Sequence, residues 1–183
     1  MEVHGFLKRH GIVRSAIRAD IVLFAIPGMT VLVLGLYFCT KAGLSGFWRI
    51  AWHLLTHPQE MSHLPPHRIV GLALFFLGLA VATIGQITLW KNYSGTVVIR
   101  EDHQLVTHGL YRFTRNPMYL GVISALIGLP MFASSLHGVL TMSVLVPIFL
   151  VRIRLEEKLL TEEFQEQYQE YKSTTKRLIP FLF

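Results

Sequence analysis

The sequence predicts an all-α, polytopic membrane protein with about four transmembrane helices, the last two forming a short hairpin that leads into a cytosolic amphipathic helix. Three observations predict it. Hydrophobic residues make up 52% of the 183-residue chain and charged residues only 15%, against roughly 25% charged in an average soluble domain. The apolar residues are gathered in long runs, which a soluble core does not require. Lys and Arg collect between alternate runs, as they do when basic segments are retained on the cytosolic side.

The first run extends from about Ile21 to Phe38, after Lys8, Arg9, Arg14 and Arg18. It is too long for the apolar region of a cleaved leader, and no small-residue cleavage site follows it cleanly, so it reads as a retained span. The second runs from Ile69 to Trp90, with Thr83, Gln86 and Thr88 as its polar interruptions. The third and fourth, Met118 to Ala133 and Leu136 to Val151, are separated by Ser134 and Ser135. Each offers ~24 Å of helix against a ~30 Å hydrocarbon core, which predicts a hairpin that does not fully reach the far surface. Pro130 and Pro147 are candidate bends in it. Between the first two spans, Phe47 to Leu55 carries Trp48 and Trp52 and reads as an interfacial amphipathic helix. After the fourth, Leu155, Leu159, Phe164, Tyr168 and Tyr171 recur at roughly helical spacing, giving an amphipathic helix that ends before Pro180.

Basic residues set the orientation. The N-terminal segment, the Lys91–Pro117 loop (Lys91, Arg100, Arg112, Arg115) and the tail after Val151 (Arg152, Arg154, Lys158, Lys172, Lys176, Arg177) are rich in them. The loop after the first span has Lys41 and Arg49, with Arg68 at the membrane edge, and the Ser134–Ser135 turn has none. Four crossings place the three basic segments on one side, with both termini cytosolic: at the inner membrane of a prokaryote, or the endoplasmic reticulum of a eukaryote. Glycines add a second pattern. Gly28 and Gly35, then Gly71, Gly78 and Gly85, then Gly121 and Gly128 recur every seven residues, which makes a narrow stripe on each helix. Such stripes let helix backbones approach closely in lipid.

Several functions are excluded. The net charge of +6 sits beside membrane segments, where topology and lipid headgroups account for it, so no nucleic-acid partner is expected. Cys39 is the only cysteine; it forms neither an internal disulfide nor a cysteine zinc cluster and reads as a small apolar residue. His53 and His57 have ligand spacing, but Pro65-Pro66 breaks any helix between His63 and His67, and Glu60 is the one nearby carboxylate. No metal is expected.

Two polar stretches carry the chemistry. One is Leu105-Val106-Thr107-His108-Gly109-Leu110-Tyr111, followed by Arg115-Asn116-Pro117-Met118-Tyr119-Leu120-Gly121. The other is Arg152 to Glu157, continuing through Phe164, Tyr168, Tyr171 and Pro180. The hairpin brings them together on one side of the membrane, and Arg152 and Glu156, four apart, share a helix face. In this order and spacing the chain resembles the isoprenylcysteine carboxyl methyltransferase family of membrane enzymes. That family carries Leu-Val-Thr-x-Gly-x-Tyr, Arg-His-Pro-x-Tyr-x-Gly, a helical hairpin, Glu-Glu, Phe-Gly-x-x-Tyr-x-x-Tyr and a late Pro. The match covers about His103 to Phe181, a little under half the chain.

The resemblance implies one membrane domain over 1–183, with N-terminal spans in 1–90 and a cofactor-binding and catalytic region in 91–183. It implies S-adenosylmethionine as cofactor, bound by His103, Gln104, Leu105, Val106, Tyr111, the Asn116-Pro117-Met118-Tyr119 turn and Glu156. Arg152 would hold the carboxylate of a lipophilic or prenylated acceptor that enters from the membrane lipids. Arg152 and Glu156 are thus the implied catalytic pair. Two departures carry expectations. Asn116 stands where the family usually has His, and an amide cannot carry a proton. Gln165 stands where it usually has Gly, which predicts a weaker helix bend.

The chemistry of the residues is compatible. A sulfonium methyl donor and a carboxylate acceptor need alignment and exclusion of water rather than a metal or a strong base. A guanidinium fork suits a carboxylate. Alternative readings are a phospholipid amine N-methyltransferase, which would want Glu156 or Glu157 as a base, and an NADPH-dependent reductase of the steroid 5-alpha-reductase kind. Arg112 and Arg115 also read as snorkelling anchors, Glu157 as a solvated partner of Glu156, and Tyr168 and Tyr171 as packing residues.

Overall fold

The computed structural model describes residues 12–15, 52, 56, 64–89, 98–100 and 104–182. The expected first span, Cys39, the Gly28–Gly35 stripe, His53, His57, His63 and His103 lie outside these residues. Of the expected interfacial helix only Trp52 is described. It is helical and exposed, and its carbonyl accepts the Thr56 hydroxyl at 3.0 Å.

Helix α1 spans Pro66–Leu89. Proline suits its first position, where the missing N–H leaves no intrahelical carbonyl unserved. Its 24 residues rise ~36 Å, enough for a bilayer core. Helix α2 spans Pro117–Phe132, again opened by a proline. The chain then reverses through Ser134, whose φ is 57°, with the Ser135 amide donating to the Pro130 carbonyl at 2.9 Å. Ser135 caps helix α3 (Leu136–Ser143) by accepting from the Gly138 amide at 3.1 Å. Helix α4 follows over Leu145–Thr174. Among the described residues, Pro66–Leu89 and Leu136–Thr174 are long and apolar enough to cross a membrane, and Pro117–Phe132 is a shorter apolar helix.

The structure is mostly helical, with one addition to the all-α expectation. Strand β1 (Ile12–Ser15) pairs antiparallel with β2 (Val98–Arg100), and the register shifts between Ile12 and Arg14. Hydropathy did not expose this ribbon, because both strands are too short to show a period.

The expected fourth span, Leu136 to Val151, is two helices. The break falls at Val144, three residues before Pro147, whose ring crowds the Ser143 carbonyl and offers it no N–H. Between Pro147 and Pro180 the sequence contains neither Gly nor Pro. The apolar stretch therefore runs on into the charged amphipathic segment as one helix. Its bend sits at Gln165, with φ 43° and ψ −113°. The weaker bend expected from a non-glycine residue is not what the backbone does. Gln165 adopts a conformation that glycine takes without steric cost.

By their contacts the described residues fall into two compact units. The first holds 12–15, 81–89, 98–100, 104–120 and 147–182. Its buried residues include Tyr111, Tyr119, Ile153, Tyr168, Tyr171 and Leu178, with the polar Thr114, Asn116, Glu157 and Thr175. Gly85 of α1 approaches Met118 here, and Gly109, with φ 63°, lies against Thr88. The second holds 52, 56, 64–80 and 121–146, with Ala125, Phe132, Met142 and Leu145 buried. In it the glycine stripes of α1 and α2 meet as expected. A Cβ on Gly78 would lie 2.6 Å from the Gly121 carbonyl oxygen and 2.7 Å from the Ala125 nitrogen. One on Gly128 would lie 2.6 Å from the Gly71 carbonyl oxygen. At one end of this unit the Ser134 hydroxyl pairs with His67 Nε2 at 2.8 Å and accepts from Arg68 Nε at 2.9 Å.

Two outcomes are expected. Gly78→Val should lower the thermal midpoint in detergent by the equivalent of about 1–3 kcal/mol of overpacking. Leu77→Val, on the 66%-exposed neighbour, should change it little; equal effects at the two positions would refute the stripe as a packing surface. Gln165→Gly should raise stability by about 1 kcal/mol, because it relieves a disfavoured φ; the check is the same melting measurement.

Candidate active site

The polar residues of the first unit form two linked clusters on consecutive residues of α4. Successive helical residues are rotated by ~100°, so Glu156 and Glu157 face different neighbours.

Glu157 is 5% exposed and lies between two guanidinium groups. Arg115 Nε donates to its Oε1 at 2.8 Å and Arg177 Nε to its Oε2 at 2.9 Å. Arg115 also donates through Nη1 to the carbonyls of Lys172 and Thr175. A cation thus sits on the negative end of α4 and serves carbonyls that lack helical partners. Around it, the segment before α2 pairs with the tail after α4. The Arg115 amide donates to the Lys176 carbonyl at 2.9 Å, Thr114 Oγ1 to the Leu178 carbonyl at 2.8 Å, and Asn116 Nδ2 to the Arg177 carbonyl at 2.8 Å. Tyr171, near the end of α4, donates its hydroxyl to the Tyr111 carbonyl at 2.6 Å and fixes the 3-10 turn Gly109–Arg112. Burial raises the Tyr168 and Tyr171 phenols above their ordinary value; Glu157 adds to this in both, and Arg115 opposes it. Both stay neutral at physiological pH, and their rings meet edge to face at 6.0 Å.

The second cluster is Arg152, Tyr119 and Glu156. Tyr119 Oη donates to Glu156 Oε2 at 2.8 Å and accepts from Arg152 Nε at 2.8 Å. The Tyr119 ring is buried and packs at 5.9 Å from Phe149 of α4. Arg152 and Glu156 are half-buried, so both remain reachable.

Of the expected meeting of Tyr119 and Asn116 with Arg152 and Glu156, the structure joins Tyr119 to both partners. Pro117 is buried at the start of α2 and Met118 is half-buried beside it. Gln104 is exposed and Leu105 and Val106 are half-buried, in a stretch that is neither helix nor strand. Asn116 is not turned toward Arg152; its amide is used on the tail. Two readings are corrected. Glu157 is a buried ion-pair residue, not a solvated partner of Glu156, and Arg115 is its partner rather than a snorkelling anchor, with 8% side-chain exposure. Tyr168 and Tyr171 are packing residues, as expected. Arg177 was missed. It lies in an irregular tail with no period to mark it, and no pattern in the sequence separates it from its basic neighbour Lys176.

Residues 66–167 match the phospholipid methyltransferase family. The chain is 37% identical over 117 residues to the protein-S-isoprenylcysteine O-methyltransferase of Saccharomyces cerevisiae, covering 62% of this chain and 49% of that protein. It is 30% identical over 116 residues to a probable protein-S-isoprenylcysteine O-methyltransferase of Oryza sativa, covering 62% of this chain and 61% of that protein. The chain thus spans about half to three fifths of the length of these curated relatives. The solved structure of a eukaryotic intramembrane Ras methyltransferase, isoprenylcysteine carboxyl methyltransferase, superposes with a TM-score of 0.60 at 26% identity, covering 78% of this chain and 52% of that one.

Glu157→Ala should leave two guanidinium groups without their carboxylate and destabilise the protein by about 3–5 kcal/mol, a large fall in melting temperature. Arg177→Ala should cost less, since its side chain is 28% exposed. A Glu157→Ala protein that melts like the wild type removes the clamp as a structural element.

Proposed function

Since this chain belongs to the phospholipid methyltransferase family, we propose that it transfers a methyl group from S-adenosylmethionine to a lipophilic acceptor, by O-methylation of an isoprenylcysteine-like carboxylate at the cytosolic membrane face. The observation that carries this reading is the pairing of a reachable cation with a reachable carboxylate through Tyr119. The names and identities of the relatives support it.

The residues suit the cofactor. It carries an ammonium group, for which the half-buried Glu156 is a natural partner. We assign cofactor contacts to His103, Gln104, Leu105, Val106, Tyr111, Asn116, Pro117, Met118, Tyr119 and Glu156. When bound, S-adenosylmethionine would supply a sulfonium-activated methyl group, whose transfer would make the carboxylate O–CH3 bond as the S–CH3 bond broke, neutralising both charges and moving no proton. Arg152 binds the acceptor carboxylate and orients one oxygen. Tyr119 and Phe149 exclude water beside it. The absence of a required proton transfer agrees with Asn116 in place of a histidine.

We place this chemistry on one membrane domain with four crossings and cytosolic termini. The β1–β2 ribbon supports it, because the N-terminal segment and the loop before α2 must share a side to pair. So does the Arg115–Glu157 pair, which sets the two ends of the α2–α4 hairpin on one side. The acceptor's apolar tail enters from lipid, while the cofactor enters from water. The matched family's name favours a second reading, methylation of a phospholipid amine. That reaction must shed a proton, and Glu156, half-buried beside Tyr119, is the carboxylate that would take it, since Glu157 is held by two guanidinium groups.

The test offers labelled S-adenosylmethionine to the detergent-purified protein with N-acetyl-S-farnesylcysteine, or with phosphatidylethanolamine vesicles. Label should enter the farnesylcysteine as a base-labile ester. Arg152→Ala should lower kcat/KM for the acceptor on the order of 10²-fold with cofactor affinity kept. Glu156→Ala should weaken cofactor binding by about 10–100-fold. Label found only in the phospholipid would overturn the carboxylate reading in favour of the amine, and no transfer to either would reject both.

A further inference from the structure

Arg152 and Glu156 are long, flexible side chains one helical turn apart, and the reaction proposed above needs them fixed. Arginine has only donors to offer and an ionised carboxylate only acceptors. The Tyr119 hydroxyl has one proton and two lone pairs. Between these two partners its orientation has one solution: the proton goes to Glu156 Oε2, and a lone pair receives Arg152 Nε–H. Both contacts are 2.8 Å. The hydroxyl is itself held, because the Tyr119 ring is 7% exposed, packs on Phe149 and has two rotatable bonds to the backbone of α2. A stiff residue on one helix thereby sets two flexible residues on another.

We propose that Tyr119 is a positioning residue for methyl transfer: its hydroxyl holds the acceptor-binding Arg152 and the cofactor-binding Glu156 in one fixed relation. This rests on the methyltransferase reading of the site. The consequence is specific. In an in-line displacement the acceptor oxygen and the methyl carbon must be aligned, and a misplacement of ~1 Å can cost 10²-fold in rate. Tyr119 neither gives nor takes a proton in the reaction, since the acceptor is already a carboxylate. Its loss should therefore appear in kcat while the pH dependence keeps its shape.

The experiment uses the full chain in nanodiscs. Tyr119→Phe keeps the ring and removes the hydroxyl. Saturated with both substrates, it should turn over about 10–100-fold more slowly than wild type. Cofactor-product affinity, by calorimetry with S-adenosylhomocysteine, should fall much less than in Glu156→Ala, because the ring and the Glu156 carboxylate both remain, and the pH–rate profile should keep its midpoints. Arg152→Lys keeps the cation but has no Nε–H for the hydroxyl, and it supplies a second arm if Tyr119→Phe is poorly folded. It should also lose kcat, and adding Tyr119→Phe to it should cost less than Tyr119→Phe costs in the wild type, because the Arg152 contact is already gone and only the Glu156 contact remains to be lost. Wild-type kcat in Tyr119→Phe, independent multiplicative losses in the double variant, or a shifted pH midpoint would each overturn the proposal. Failure of the wild-type protein to methylate any acceptor is a separate result, and it would strike the methyltransferase reading itself.

Discussion

The buried carboxylate of Glu157 is the constraint on which the first unit depends. Removing an ion from water costs several kcal/mol, and attraction to a partner repays it only when the geometry is good and the remaining hydrogen-bonding capacity is used. Here two guanidinium groups share the carboxylate, one on each oxygen, and Arg115 Nη1 donates to carbonyls at the end of α4. Three separate stretches of chain are tied at one point: the segment before α2, the middle of α4 and the tail beyond it. Because Glu156 is the next residue, fixing Glu157 also fixes the direction in which Glu156 leaves the helix. The Glu-Glu pair is thus divided: one carboxylate holds the fold and its neighbour faces Arg152 and Tyr119.

The sequence made the membrane helices legible because hydropathy over long runs survives any detail of packing. α1 begins within a few residues of its expected start, and α2 within one. The glycine stripes were legible for a similar reason: helix geometry alone turns a seven-residue spacing into a face. The meeting of Tyr119 with Arg152 and Glu156 followed from the hairpin, which returns the chain to the level from which it set out. What could not be read depended on contacts between unlike segments. No local pattern distinguishes Arg177 from Lys176, since only the path of the tail decides which one reaches Glu157. Gln165 is the reverse case. Its side chain argued against a sharp bend, and the demands of packing Tyr168 and Tyr171 on one side and Ile153 on the other coexist with that bend nonetheless.

Asn116 shows how a departure in sequence can be absorbed. Its amide N–H donates to the Arg177 carbonyl, so the position contributes to docking the tail. An imidazole N–H is also a donor, and either residue can fill that part. Only the protonation that an amide lacks is lost, and carboxylate methylation has no use for it. The residue that best separates the carboxylate from the amine reading is therefore not Asn116 but Glu156, which would have to act as a base for an amine and need only act as an anion for a carboxylate.

The sidedness of the molecule rests on two independent kinds of observation. The charge bias is statistical, a preference of Lys and Arg for the cytosolic side. Hydrogen bonds impose a stricter logic, because two segments that pair must lie on the same side of any membrane between them. β1 with β2 sets residues 12–15 beside residues 98–100. Arg115 with Glu157 sets residue 115 beside residue 157. Neither pairing uses charge counting, and both support the proposed four-crossing arrangement. Among the described residues, Ile12–Ser15 is bonded to Val98–Arg100, and Arg115, before α2, is bonded to Glu157 of α4. Tyr119 and Arg152 meet where apolar helix gives way to polar chain, and it is this position that would let the proposed lipophilic acceptor and water-soluble donor arrive from opposite phases.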